Sequence, residues 1–227
     1  MGQTIELTSA DGFKCPAYVA RPSGKAKGGL VLLQEIFGLN SHIRSVADGY
    51  AADGYFVVAP HTFHRAKPGV ELGYTEADMK AGMELKAAVE GLPAPGVMPD
   101  IQAAIQHAAQ AGKVGILGYC WGGLLTWRSA SALQGLSAAA PYYGGGMTVG
   151  AELERRPTVP VMVHFGAQDH WIPLDTVEAF KKAQPGVTVH VYDANHGFNC
   201  DQRGSYNEAA AKLARERTLA FFAQHLG

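Results

Sequence analysis

Four short runs, Leu30–Leu33, Phe56–Ala59, Val114–Leu117 and Val161–Val163, are apolar without interruption, and stretches of helical spacing lie between them. A strand that alternates apolar and polar residues has one dry face. A strand that is apolar throughout is covered on both, as happens in parallel sheets whose crossovers are helices. An α/β fold follows. Strands are expected over residues 3–8, 15–20, 29–34, 55–59, 113–118, 136–142, 159–165 and 187–192. The first two alternate apolar and polar residues around Ser9-Ala10-Asp11-Gly12, the pattern of an antiparallel hairpin.

Helices are expected over 41–53, 76–90, 99–111, 122–134, 173–184 and 205–225, with Ser41 as the cap of the first and Asp100 opening the third. The expected architecture is a mostly parallel, doubly wound sheet with an antiparallel N-terminal hairpin, flanked by helices. At 227 residues the chain is long enough to bury roughly 70–75% of its unfolded surface as one domain, residues 1–227. The Pro- and Gly-rich stretch 91–99 reads as a surface loop rather than an interdomain hinge.

Nineteen Lys and Arg against twenty Asp and Glu give a net charge of -1, with no basic stripe to attract phosphate backbones or anionic lipid. No apolar run approaches the ~18 residues of a membrane helix, and the N-terminus lacks the basic start and apolar core of an export signal. The expectations are a cytoplasmic protein, monomeric or a small homo-oligomer, with no nucleic-acid or membrane partner. Cys15, Cys120 and Cys200 are too few for a disulfide framework and lack zinc-ligand spacing. His61, His64, His164, His170 and His190 form no HExxH or comparable pair, and no Gly-rich phosphate loop is present, so no metal or nucleotide cofactor is expected.

Ligands of open α/β sheets sit beyond the carboxyl ends of the strands. Four such ends carry reactive side chains: Glu35, Cys120, Asp169 and His196. Gly118-Tyr119-Cys120-Trp121-Gly122-Gly123, between a strand and a helix, has the pattern of a nucleophile elbow with Cys in place of Ser. The chain order Cys120, Asp169, His196 then gives a thiol, a base that takes and returns its proton, and a carboxylate that orients the base. Backbone N–H groups of Ile36 and Trp121 are the expected oxyanion donors. Tyr142 and Trp171, by position, are candidates for the substrate pocket.

These blocks, together with Gln34-Glu35-Ile36-Phe37-Gly38, Gly166-Ala167-Gln168-Asp169-His170, His196-Gly197-Phe198 and Ala214-Arg215-Glu216-Arg217-Thr218, resemble the dienelactone hydrolase family of α/β hydrolases over nearly the whole chain. The resemblance implies hydrolysis of a small enol lactone or activated ester through a Cys-His-Asp triad, without metal or organic cofactor. It also implies that Glu35 holds the thiol at rest and then helps to deprotonate it. Members that hydrolyse dienelactone grip its carboxylate with two arginines. The matching positions here hold Lys80 and Cys200; Lys80 is a candidate to supply the charge, and so is Arg203 further along the loop, although a solvated surface position is the commoner one for an arginine. A different class, a non-catalytic ligand-binding or thiol-redox protein on the same fold, is the alternative expectation.

Overall fold

The computed structural model describes residues 2–227. Eight strands form one sheet in the order β1-β2-β4-β3-β5-β6-β7-β8. They are β1 (Gln3–Thr8), β2 (Lys14–Ala20), β3 (Gly29–Leu33), β4 (Phe56–Pro60), β5 (Val114–Tyr119), β6 (Leu136–Tyr142), β7 (Met162–Gly166) and β8 (Thr188–Tyr192). β1 and β2 pair antiparallel, and β2 joins β4 antiparallel; every pairing from β4 to β8 is parallel. This is the expected mostly parallel sheet with its antiparallel N-terminal hairpin, and every residue of the central β3, β4 and β5 is buried.

Six helices cover the sheet: α1 (Ser41–Ala52), α2 (Glu76–Glu90), α3 (Met98–Ala108), α4 (Trp121–Ala132), α5 (Leu174–Ala183) and α6 (Glu208–Leu226). α1 packs on β2 and β4 and α6 on β5, β6 and β7, whereas α3 lies on β1, β3 and β4 and α4 on β3, β5 and β6. Trp127 of α4 meets Phe180 of α5 edge to face at 5.1 Å, which places α5 beside α4.

Local chemistry sets the helix ends, and they differ from expectation by up to three residues, as at α6, which opens at Glu208 rather than at 205. The cap of α1 is Asn40 rather than Ser41: its side chain accepts from the Ile43 N–H at 3.3 Å, as an Asx cap does one residue before the helix begins. The third helix stops at Ala108 and tightens into a 3-10 turn over Ala109–Ala111. α2 opens on a reciprocal capping box between Thr75 and Asp78, and Asn207 caps α6. β7 begins at Met162, because Val159 and Pro160 lie before the parallel ladder.

Candidate active site

α4 has no side-chain cap, and the residue in the capping position is Cys120, with φ 56° and ψ −119°. A non-glycine residue in that region costs on the order of 1–3 kcal/mol and persists only where its surroundings enforce it. Here they do. A Cβ on Gly118 would come inside 3.0 Å of the Gly122 backbone, and one on Gly122 would strike the carbonyls of Leu33 and Gln34 at the end of β3. One on Gly123 would strike the carbonyl of Tyr142 at the end of β6. The Cys120 N–H donates to that same Tyr142 carbonyl at 3.1 Å. The elbow is thus wedged between β3 and β6, its thiol half-exposed and its helix opening on N–H groups without intrahelical acceptors.

Asp169 follows β7 and His196 follows β8. His196 Nδ1 and Asp169 Oδ2 are 2.7 Å apart, both side chains buried. Asp169 Oδ1 accepts from the Trp171 N–H at 2.8 Å, so the carboxylate is fixed on both oxygens. The two loops are laced together by Ala167 N–H to Tyr192 O at 2.7 Å and Gln168 N–H to Ala194 O at 2.9 Å. Tyr143, itself at φ 35°, sets its ring against the imidazole at 5.1 Å. With Nδ1 held by Asp169, Nε2 is the ring nitrogen left for another partner. Burial alone would lower the His196 pKa, but negative charge on Cys120 and the bond to Asp169 outweigh it and raise it to about 10.

Glu35 stands just after β3 and is 1% exposed. Its Oε1 accepts from Arg203 Nη1 at 3.1 Å, and its Oε2 has no partner. The Arg203 side chain is only 14% exposed, and its guanidinium lies 5.4 Å from the ring centre of Phe37. Arg203 is therefore not the surface arginine the sequence led us to expect. Its charge also reaches Cys120.

These groups border a cavity of ≈ 80 Å³ lined by Cys120, His196, Ile36, Trp171 and Arg203 from among the expected residues. Asp169 and Glu35 stand behind its wall. Trp121 is not part of the lining: its ring stacks on Phe63 at 4.9 Å and its Nε1 donates to Glu90 at 2.8 Å. Two expectations fail. Tyr142 is fully buried in the sheet core, its hydroxyl 2.6 Å from that of Thr218, because its register opposite Tyr119 turns it inward. Lys80 is exposed on the outer face of α2 and does not line the cavity. The cavity-facing stripe of that helix is Met79, Met83 and Lys86, at helical spacing that the sequence does carry. Phe37 and Gly145 complete the lining. A roomier groove of ≈ 380 Å³ between α1 and α6 lies outside this group of strand ends.

The model of the dienelactone hydrolase family matches residues 15–226. A carboxymethylenebutenolidase of Pseudomonas putida is 34% identical over 230 residues, spanning 96% of this chain and 95% of that one. A Klebsiella pneumoniae structure, provisionally named a dienelactone hydrolase, is 32% identical with a TM-score of 0.85, covering 99% of this chain and 98% of the other. An esterase of Pyrococcus furiosus, 16% identical, has the same fold at a TM-score of 0.72, with 100% and 94% coverage. With the family matched along nearly its whole length and the α/β-hydrolase sheet in place, this chain belongs to the dienelactone hydrolase family.

Proposed function

We propose that the chain hydrolyses a small, carboxylate-bearing enol lactone or activated ester, with Cys120 as nucleophile, His196 as proton carrier and Asp169 as its orienting partner. The observation that carries this reading is the strained Cys120 at the mouth of α4, bordering the same cavity as a His196 already aligned by Asp169. Negative charge on Cys120 and the bond to Asp169 raise the His196 pKa to about 10, so His196 keeps a proton once the thiol has given it up. That proton comes from Cys120, and the thiolate and imidazolium stabilise each other.

The thiolate sulfur attacks the acyl carbon, and the developing oxyanion is met by the backbone N–H groups of Ile36 and Trp121. As the C–O bond breaks, His196 gives its proton to the departing enolate or alkoxide oxygen. Neutral His196 then takes a proton from water, whose oxygen attacks the thioester. The C–S bond breaks, the acid leaves, and Cys120 and His196 return to their starting states. Glu35, its free oxygen unpartnered, is placed to exchange its contacts as substrate arrives and to assist in taking the thiol proton.

Substrate charge is read from the wall. Ile36, Phe37, Met79, Met83 and Trp171 offer an apolar slot, and Lys86 and Arg203 add two positive charges. An apolar ring carrying one carboxylate fits that pattern. Dienelactone and a neutral aryl acetate, assayed side by side with wild type and Cys120→Ala, test both parts. Dienelactone is expected to lead in kcat/KM by orders of magnitude, with both activities lost in Cys120→Ala. Equal turnover by the variant would end the thiol mechanism, and preference for the neutral ester would end the anionic-substrate reading.

A further inference from the structure

Besides its place in the proposed hydrolysis, Glu35 belongs to a second cluster, whose other members, His42 and Cys200, the hydrolytic chemistry does not use. One ligand atom from each of Glu35, His42 and Cys200 lies within 4.8 Å of the other two. All three side chains are buried, with residue exposures of 1%, 2% and 0%. Two of their polar atoms, Glu35 Oε2 and His42 Nε2, have no hydrogen-bond partner. An unpaired buried polar group costs about 1–3 kcal/mol, so two of them in one buried cluster call for a shared partner.

The chemistry of the donors identifies that partner. His42 Nδ1 is 3.1 Å from Asp201 Oδ1, which leaves Nε2 as the nitrogen with free capacity. A carboxylate on one imidazole nitrogen is the support that metal-binding histidines use to fix their tautomer. A thiolate, an imidazole nitrogen and a carboxylate oxygen are a zinc donor set. In a tetrahedral site such atoms stand about 3.3–3.7 Å apart, so side-chain shifts of roughly 1 Å suffice to close on an ion. His42 and Asp201 both line the ≈ 380 Å³ groove between α1 and α6, which gives an ion its way in.

We propose that Glu35, His42 and Cys200 form a binding site for one Zn²⁺, with Asp201 holding His42 from outside and water as the fourth ligand. As the Zn–S bond forms, the Cys200 proton leaves to solvent. The ion then ties together the end of β3, the start of α1 and the loop after β8 that also carries His196 and Arg203. Metal binding is read without turnover, so its failure is distinct from failure of the hydrolytic reading.

The test titrates the full chain, freed of metal by chelator, with Co²⁺ as a coloured stand-in and then with Zn²⁺ in competition. Wild type is expected to bind one equivalent with a thiolate-to-cobalt absorption band that Zn²⁺ abolishes. Cys120→Ala is expected to keep the band and Cys200→Ser to lose it. Asp201→Asn, at an exposed carboxylate, is expected to bind about 10–100-fold more weakly. Circular dichroism checks each fold; should Cys200→Ser fail to fold, Asp201→Asn decides. No thiolate band in wild type, a band that follows Cys120 instead of Cys200, or undiminished affinity in Asp201→Asn would each overturn the proposal.

Discussion

Arg203 and Glu35, 168 positions apart in the chain, meet through one hydrogen bond of 3.1 Å in the wall of the cavity. The pair is mostly buried, so its two charges have given up water and depend on each other. Removing one partner leaves the other as an uncompensated buried charge. Arg203→Ala is expected to lose about 3–5 kcal/mol in urea unfolding, whereas Arg203→Met combined with Glu35→Gln is expected to recover most of that loss. A double variant as unstable as the single one would show that the packing of the arginine stem, not the charge, is what matters.

Asp169 touches His196 and Trp171 and takes no part in the cavity lining. On the proposed mechanism it acts by fixing the imidazole tautomer. Asp169→Asn keeps the shape but offers an amide in place of the acceptor, and kcat is expected to fall on the order of 10⁴-fold with far-ultraviolet circular dichroism unchanged. Retention of more than a tenth of the wild-type kcat would remove Asp169 from the mechanism.

Gly122 sits where α4 crosses the carbonyl ends of β3. Gly122→Ala is expected to destabilise the protein by about 1–3 kcal/mol through overpacking against backbone that has nowhere to move. The same push displaces the elbow, so the loss of esterase turnover should exceed anything the melting temperature accounts for. Gly145→Ala, where a new Cβ meets nothing, serves as the control for stability.

His164 is buried between Tyr192, 2.8 Å from its Nδ1, and Thr218, 2.9 Å from its Nε2. Burial, with the charges of His190 and Arg217, holds its pKa well below 6.5. A folded-state pKa lower than the unfolded one means that the contribution is complete above pH 6.5. As pH falls further, the unfolded chain takes up the proton that the folded one refuses, at about 1.4 kcal/mol per unit. His164→Gln is expected to be less stable than wild type at pH 7.5, with the gap shrinking as urea midpoints are followed down to pH 5. A gap independent of pH would mean that His164 does not titrate in this range.

The framework was legible in the sequence because it rests on local rules. Uninterrupted apolar runs marked strands covered on both faces, and alternation marked the hairpin. The elbow glycines announced a turn too tight for side chains. Each of these is a property of neighbours in the chain, and the eight strands fall close to their expected bounds. The cap of α1 fell on Asn40, one residue before the expected Ser41, because the backbone there is extended and the Asn40 side chain reaches the Ile43 N–H.

The sequence by itself determined the sheet, its helical cover and the strand ends on which reactive groups stand, since apolar periodicity and turn chemistry act over a few residues. Tertiary structure alone decided which distant groups meet. It turned Tyr142 into the core and Lys80 to solvent, and it brought Lys86 to the cavity by the rotation of α2. It drew Arg203 inward to Glu35, and it gathered Glu35, His42 and Cys200 from three separate segments. No spacing in the chain encodes such meetings, because they depend on how whole helices and loops pack, and that is settled by the burial of many side chains at once.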